Sequence, residues 1–316
     1  MILLDHVSKE FHKKSGVAVP AIHAVSLHIP EGTVVGVIGA SGSGKTTLLK
    51  LTAGLLQPSS GRVRVGGRDP VVNRKKLRGQ IHMLSAEYGN LDTERSLEEN
   101  LAMVPLLYSL NKKEFDKTQA DMLTRFGLSG KRGDRIKDLS LGFRRRSEIV
   151  MALLMPAKVI LFDEPYIGMD AEAKKVFTEL VLEEKERGRT ILVSSHDLGE
   201  IRELSDRLLL LHRGSVHFYG EKEQLYRNMA PENWLSLNLA GAFPDLQDLP
   251  YVRYEQNGDH MILTYDSRCV TAAELLQGIL QSGVVTEVSV IKPELSEVVT
   301  GIASGNGGRL NQLSDD

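Results

Sequence analysis

One short stretch constrains the fold of this chain more than any other. Residues 39–47 read Gly-Ala-Ser-Gly-Ser-Gly-Lys-Thr-Thr and contain the spacing G-x-x-x-x-G-K-[ST]. An apolar, β-branched run at 33–38 precedes the stretch, and a short helical pattern at 46–53 follows it. A glycine-rich turn between a buried strand and a helix directs backbone N–H groups at one point. The stretch therefore predicts a phosphate-binding loop in an α/β fold.

The loop also supplies the side chains that a bound nucleotide requires. Lys45 is predicted to place its ammonium on the β- and γ-phosphates, and the Thr46 hydroxyl is predicted to bind Mg²⁺. We predict that every residue of the loop contacts the nucleotide: Gly39, Ala40, Ser41, Gly42, Ser43, Gly44, Lys45, Thr46 and Thr47.

Two acidic residues follow another apolar run. Residues 159–162 read Val-Ile-Leu-Phe and lead into Asp163 and Glu164. Because parallel strands end at one edge of a sheet, these carboxylates are expected beside the phosphate loop. We predict that Asp163 binds Mg²⁺ and that Glu164 is the general base or orients the attacking water. His196 follows a strand pattern at 190–193 and is predicted to hydrogen-bond the γ-phosphate.

A second anion site is predicted at the start of a helix. Residues 139–143 read Leu-Ser-Leu-Gly-Phe, so a serine hydroxyl, a glycine backbone and a helix N-terminus come together. Ser140 and Gly142 make sense as a site if they complete the phosphate site of another subunit. The three arginines at 144–146 are interpreted as a solvated helix face. Phe11 either stacks on an adenine ring or is an ordinary core or edge aromatic.

Strands alternate with helices through most of the chain, which predicts a mostly parallel sheet. Half-buried alternation in residues 1–30 predicts an antiparallel β subdomain, and residues 88–155 are predicted to form a helical insert. The fold class predicted is therefore α/β, a RecA-like P-loop NTPase with a small α+β domain at its C-terminal end. The predicted domains are 1–227 for nucleotide binding and 228–302 as an accessory domain, with a disordered tail at 303–316.

Composition and charge argue against several classes of function. A net charge of −2 over 316 residues gives no indication of nucleic-acid binding. A single cysteine, Cys269, excludes an internal disulfide, fits a reducing cytoplasm and is expected to be a small buried residue. We find no uncharged apolar run long enough to cross a membrane, so a membrane role is expected to need a partner. Pro105 is expected to kink or shorten the helix that the capping box at 96–99 begins.

The ordered motifs resemble the ATPase subunit of ATP-binding-cassette (ABC) transporters. They run from the phosphate loop through 139–143 and 159–165 to Ile-Gly-Met-Asp at 167–170 and Ser-Ser-His-Asp at 194–197. The resemblance covers roughly residues 1–227. It implies a cytoplasmic ATPase that binds ATP and Mg²⁺ and dimerises head to tail, as a homodimer or a related heterodimer. It also implies a separate integral-membrane permease that holds the subunit at the inner face of the cell membrane.

The same resemblance assigns roles to single residues. It implies that Phe11 stacks on adenine and that Ser140 and Gly142 contact the γ-phosphate bound by the partner subunit. The Leu-Ser-Leu-Gly form and the segment at 292–299 resemble the exporter branch that handles drugs, antibiotics, lipids or sodium. The alternative is a soluble or regulatory ABC ATPase with weak hydrolysis that is not tied to transport.

The chain departs from the family pattern at three positions, of which the first is Leu141 in place of the usual first signature glycine, a change that the exporter branch tolerates. Tyr166 stands where the family usually has Thr. The family also carries a Gln after the strand at 80–84, in a loop that senses the permease. Here Ala86 or Glu87 takes that position, and Glu87 could then bind Mg²⁺ directly.

Overall fold

The computed structural model describes residues 1–12, 16–85, 89–229, 232–240, 252–257, 260–266, 269–280 and 284–291. The chain divides into two compact units, residues 1–220 and 221–316. The boundary that we predict after residue 227 falls inside the helix Lys222–Met229. Within the described ranges, no helix combines the length and the apolar character needed to cross a membrane.

The described residues up to 221 contain sixteen helices and strands, apart from two short 3-10 turns. In chain order they are β1 (Ile2–His12), β2 (Ala18–Ile29), β3 (Val34–Ile38), α1 (Lys45–Thr52), β4 (Ser60–Val65), α2 (Arg74–Leu77), β5 (Ile81–Leu84), α3 (Leu97–Tyr108), α4 (Lys112–Arg125), α5 (Leu141–Leu154), β6 (Val159–Phe162), α6 (Ala171–Glu186), β7 (Thr190–Ser195), α7 (Leu198–Arg202), β8 (Arg207–His212) and β9 (Ser215–Glu221).

A six-stranded sheet with the order β5-β6-β7-β3-β8-β9 forms the centre of the first unit. Every pair from β5 to β8 is parallel. Strands β3, β6 and β7 are buried along their whole length, as expected for parallel strands that are covered on both faces. The parallel register brings the carboxyl ends of β3, β6 and β7 to one edge, because Ile38 pairs with Ser195 and Phe162 pairs with Val193.

A three-stranded antiparallel sheet, β2-β1-β4, packs against the same core. Its inward side chains alternate with exposed ones along β2, and they share one apolar cluster with β3, α1 and the middle of the parallel sheet. Helices α3, α4 and α5 lie in sequence between β5 and β6. These features confirm the predicted α/β fold with its antiparallel β subdomain and helical insert.

Helix α3 differs in one respect from its prediction. Its capping box is present, since Ser96 Oγ accepts the Glu99 N–H and the Glu99 carboxylate accepts the Ser96 N–H. Pro105 does not end the helix, because α3 continues to Tyr108, and the alternative that it kinks the helix stays a prediction. The helix tolerates the proline near its end and stops where Ser109 adopts a left-handed conformation, with φ of 53°.

The second unit contains α8 (Lys222–Met229), β10 (Glu232–Ala240), β11 (Val252–Asn257), β12 (His260–Asp266), α9 (Ala272–Leu280) and β13 (Val284–Ile291). Its four strands form an antiparallel sheet with the order β11-β12-β10-β13. The apolar residues of β10, β12 and α9 form a separate core. Cys269 is exposed, so its predicted burial is wrong. The segment at 292–299 that resembles the exporter branch and the predicted tail at 303–316 lie outside the described residues.

Candidate active site

The phosphate loop lies where β3 ends and α1 begins. Gly44 precedes the helix with φ of 107°, and a Cβ at this position would lie 2.6 Å from the Ala21 carbonyl oxygen. Both the backbone conformation and the close approach therefore require glycine. Because glycine has no side chain to cap α1, the first-turn N–H groups are available to an anion.

Lys45 is a buried cation on this loop. Its side chain is only 7% exposed. Its Nζ donates to the carbonyl oxygens of Gly39 at 2.7 Å and Ala40 at 3.4 Å. These neutral acceptors hold the ammonium in place inside the loop without cancelling its charge. The ammonium group of Lys45 is therefore held at a fixed position inside the loop.

Side-chain oxygen atoms of Ser43, Thr46 and Asp163 indicate whether the site can accept a nucleotide and a metal ion. Thr46 Oγ1 donates to Asp163 Oδ2 at 2.8 Å, so a hydroxyl and a carboxylate meet at one point, as hard divalent cations require. Ser43 Oγ is buried and, among the described residues, has no hydrogen-bond partner. A buried hydroxyl without a partner can donate a hydrogen bond to a phosphate oxygen, so Ser43 is consistent with a loop that binds phosphate. Thr46 and Asp163 would hold Mg²⁺, which would supply positive charge that offsets the charge of the phosphates.

The Glu164 carboxylate contacts both Lys45 and His196. Its Oε1 lies 3.3 Å from Lys45 Nζ, and its Oε2 lies 3.0 Å from His196 Nδ1. An ionised carboxylate only accepts hydrogen bonds, so His196 Nδ1 carries the proton in this contact. The Glu164 side chain is largely buried, whereas two thirds of the His196 side chain is exposed. The carboxylate is thus fixed between a buried cation and an imidazole that solvent or a ligand can reach.

Two further residues, which we did not predict, fix the carboxylates. Ser194 Oγ donates to Asp163 Oδ1 at 2.8 Å and accepts the Glu164 N–H at 2.9 Å. Arg145 is buried and donates to the Asp163 and Glu164 carbonyl oxygens. The interpretation of residues 144–146 as a solvated face is therefore wrong for Arg145, because strand-end carbonyls and Glu148 satisfy its charge.

Tyr166 and Glu200 support the segment that carries His196. The Tyr166 hydroxyl donates to the Glu200 carbonyl oxygen at 2.7 Å, and the Tyr166 ring packs edge-on against Phe177. Burial raises the pKa of Tyr166, so its hydroxyl stays protonated as a donor. The Glu200 carboxylate accepts from Ser195 Oγ at 2.6 Å. A tyrosine in place of the family's usual threonine therefore attaches the turn after β6 to α7.

The remaining predicted residues lie apart from this network. Ser140 caps α5 and accepts the Phe143 N–H at 3.4 Å, and a Cβ on Gly142 would lie 2.8 Å from the Gly168 carbonyl oxygen. Phe11 is 42% exposed near the end of β1, with Lys9 Nζ 5.4 Å from its ring centroid. Among the described residues, no hydrogen bond or ion pair joins Phe11, Ser140 or Gly142 to the phosphate loop. Ala86 and Glu87 lie outside the described residues.

Comparison with known proteins identifies the family. Residues 22–167 match the family model described as ABC transporter. The chain is 36% identical over 233 residues to the ABC transporter ATP-binding protein NatA of Bacillus subtilis (strain 168), covering 74% of this chain and 94% of that relative. This chain belongs to the ABC transporter ATPase family. It is also 35% identical over 233 residues to the methionine import ATP-binding protein MetN of Geobacillus kaustophilus (strain HTA426), covering 72% and 68% respectively.

A solved ABC cassette has the same fold. It is the dimeric, post-hydrolysis state of the ATP-binding cassette MJ0796 bound to ADP and Pi, with a TM-score of 0.63 and 26% sequence identity. The match covers 70% of this chain and 98% of that chain. ABC ATPases hydrolyse ATP with Mg²⁺, dimerise and work with membrane permeases. The predicted ATPase activity, the ligands ATP and Mg²⁺, and the partner classes are thereby confirmed.

Proposed function

We propose that this ABC ATPase hydrolyses ATP at the site formed by Lys45, Thr46, Asp163, Glu164 and His196, and that hydrolysis drives export through a separate permease. The observation that carries the proposal is the position of Glu164. Its carboxylate lies within hydrogen-bonding reach of both Lys45 and His196, at the strand edge where the phosphate loop begins. A base in that position can orient or deprotonate a water next to the γ-phosphate.

Each residue has a distinct part in this reaction. Lys45 and the N–H groups of the loop, from Gly39 to Thr47, bind the phosphates and stabilise the charge that develops during transfer to water. Glu164 accepts a proton from the attacking water. As an imidazolium, His196 donates Nδ1–H to the Glu164 carboxylate and Nε2–H to the γ-phosphate. Catalysis therefore consists mainly of positioning and of electrostatic stabilisation.

Ser140 and Gly142 complete the phosphate site of a second subunit in this proposal. They lie at the N-terminus of α5, and Leu141 between them is 65% exposed. An exposed helix N-terminus outside the phosphate-loop network supports contact with a nucleotide on another chain. Phe11, which is exposed beside β2, is proposed to stack on the adenine ring.

An open groove in the first unit supports a permease partner. It has a volume of about 880 Å³, and its walls include the exposed apolar side chains Leu55 and Val72. Lys75, Lys76 and Arg78 also line it. A groove that combines apolar and basic walls suits an acidic, amphipathic segment of a membrane protein. The permease would hold the subunit in the cytoplasm at the inner face of the cell membrane.

The direction of transport rests on the form of the signature. Leu139-Ser140-Leu141-Gly142 resembles the branch that exports drugs, antibiotics, lipids or sodium. Inverted membrane vesicles from cells with and without this chain provide the test. Given Mg²⁺ and ATP, vesicles that contain the chain should accumulate sodium or one of a set of drugs. Uptake only into right-side-out vesicles loaded with ATP would show an importer.

A second candidate function is a regulatory nucleotide binder that hydrolyses ATP slowly. The presence of Ala86-Glu87 where the family has Gln favours this candidate. Steady-state ATPase measurements on the purified chain across a Mg²⁺ titration, with and without permease, separate the two. The transport proposal predicts that the permease stimulates turnover. A rate that stays low in its presence would favour the regulatory function.

The accessory role of residues 228–302 is also a proposal. Its described part contains a four-stranded sheet and α9, with a core of its own. We assign it to dimer contact or regulation, since the groups proposed for hydrolysis all lie in the first unit.

A further inference from the structure

A buried ion pair lies on α5. Arg145 and Glu148 are 6% and 5% exposed, and Arg145 Nη1 lies 3.1 Å from Glu148 Oε2. Arg144 Nε donates to the other carboxylate oxygen of Glu148 at 3.4 Å. A buried ion pair is tolerated only when further hydrogen bonds satisfy its remaining donors and acceptors. The partners of those further bonds therefore indicate what this pair does.

Arg145 uses its other donors on the backbone that carries the site carboxylates. Nη2 donates to the carbonyl oxygens of Asp163 at 2.9 Å and Glu164 at 2.8 Å, and Nε donates to that of Pro165 at 3.1 Å. Glu164 has a φ of 46°, in the left-handed region that non-glycine residues rarely adopt. One guanidinium thus holds three successive carbonyls around a strained residue.

The same pair also contacts both ends of the segment at 86–88. On one side, Arg145 Nη1 donates to the Ser85 carbonyl oxygen at 3.2 Å. On the other side, a Cβ on Gly89 would lie 2.4 Å from Glu148 Oε1, so the carboxylate packs against backbone that only glycine leaves open. These groups line a cavity of about 240 Å³. A displacement of either end of the segment must therefore change the contacts of Arg145 or Glu148.

We propose that the Arg145–Glu148 pair is a positioning element for hydrolysis, which makes the placement of the Glu164 carboxylate depend on the backbone at Ser85 and Gly89. This inference rests on the proposed role of Glu164 as the base. The Arg145 guanidinium fixes the positions of the carbonyl groups on both sides of the Glu164 Cα. The position of that Cα determines where the Glu164 carboxylate contacts the attacking water. Misplacement of a reacting group by about 1 Å can slow a reaction ~100-fold, so small shifts of this pair are enough to control turnover.

The test replaces both charges at once, because removing only one leaves the other buried and unpaired. In the full chain, Arg145→Gln with Glu148→Gln is compared with wild type for ATP dissociation constant and kcat. We expect binding within about threefold of wild type, because the phosphate loop is unchanged, and kcat lower by about tenfold or more. A kcat within twofold of wild type in the folded double variant would overturn the proposal.

A matched control uses another Arg–Glu pair in the first unit. Arg189 donates to the Leu153 carbonyl oxygen at 2.8 Å and lies 3.0 Å from buried Glu184. Arg189→Gln with Glu184→Gln removes a second Arg–Glu ion pair together with its contact to a backbone carbonyl oxygen. We expect the thermal unfolding midpoint to fall while kcat stays within twofold of wild type. An equal loss of kcat in both double variants would show that the effect is general destabilisation.

Two further variants keep the test decisive. Adding the Arg145 and Glu148 changes to Glu164→Gln should cause no additional loss in single-turnover rate, because the pair acts through Glu164. A further loss would contradict that route, whereas a wild-type rate in Glu164→Gln alone would instead contradict the proposed function. If the double variant does not fold, Arg145→Lys is measured instead. One ammonium group cannot make all the hydrogen bonds of the planar guanidinium, so kcat should fall at least threefold. An unchanged kcat in Arg145→Lys would overturn the proposal.

Discussion

Glu164 is the residue at which backbone strain and proposed chemistry coincide. Its left-handed conformation, with φ of 46°, costs about 1–3 kcal/mol and persists only where neighbouring groups hold it. Ser194 accepts its N–H, and Arg145 binds its carbonyl oxygen. A backbone fixed on both sides leaves the carboxylate little freedom, which is what a positioned base requires.

Ser194→Ala tests how much this support contributes. The change leaves a buried N–H and one Asp163 carboxylate oxygen without their partner, so the unfolding free energy should fall by about 1–3 kcal/mol. We expect kcat to fall as well. Chemical denaturation and steady-state ATPase assays measure the two effects. Ser205→Ala is the control, because the carbonyl that Ser205 Oγ binds also accepts a backbone N–H. Equal stability losses in both variants would contradict the special role of Ser194.

Sequence motifs placed Lys45, Thr46, Asp163, Glu164 and His196 as candidate site residues, and the structure brings these five together. The supporting residues could not be found in the same way. Nothing in the local pattern distinguishes Arg145 from its two arginine neighbours, because its acceptors are carbonyls from β6 and the end of β5 that only the folded sheet brings near.

At the scale of single elements, the edge strand β5 contains a histidine that the fold keeps neutral. Burial lowers the pKa of His82 from 6.5 to about 4. Asn90 Nδ2 donates to the Met83 carbonyl oxygen, which fixes the orientation of that amide, and it also lies 3.2 Å from His82 Nε2. A proton on Nε2 would oppose this donor, so the hydrogen bonding and the burial act in the same direction.

The shift predicts how stability depends on pH. The unfolded chain protonates this histidine near pH 6.5, whereas the folded chain does so only near 4, so the unfolded state binds more protons between these values. Stability is therefore full above pH 6.5 and falls as pH decreases toward 4. His82→Gln can still accept the Asn90 amide. Between pH 7 and 5 the wild type should lose about 1–2 kcal/mol more than His82→Gln in urea titrations. Parallel losses would show that His82 does not titrate in this way.

Periodicity predicted most elements of the first unit, and a proline in the first unit and a strand in the second show where pattern reasoning falls short. Pro105 lies inside α3 without ending it, since the helix continues to Tyr108. Strand β10 was not predicted, although Leu235 and Leu237 alternate with Trp234, Ser236 and Asn238. That alternation is the usual signal of a half-buried strand, and two buried neighbours, β12 and α9, complete its core.

At the scale of the whole molecule, the proposed site is incomplete in one chain. The signature at 139–143 begins α5, and Gly142 packs closely on the Gly168 backbone, in the loop that follows the site carboxylates. In a head-to-tail dimer, each chain would place Ser140 against the nucleotide of its partner. Only the dimer would then bring together all the residues that are predicted to bind one ATP molecule.

Ser140→Arg tests this arrangement. Added bulk and charge at the dimer contact should abolish ATP-dependent dimerisation and lower kcat at least tenfold, with ATP binding by the monomer within about threefold of wild type. Light scattering and nucleotide titration measure these quantities. Ser129→Arg, at an exposed position elsewhere in the insert, is the control and should dimerise normally. Unchanged turnover in Ser140→Arg would show that each chain hydrolyses ATP alone.

The single-turnover hydrolysis rate of Glu164→Gln decides whether this site is the centre of the molecule's activity. The change keeps the size of the side chain and removes its basicity, so the rate should fall by about 10²–10⁴-fold. ATP binding should persist, and a nucleotide-bound dimer should accumulate. Lys45→Ala should instead lose ATP binding, because it removes the buried charge of the phosphate loop. Hydrolysis by Glu164→Gln at the wild-type rate would show that another group activates the water.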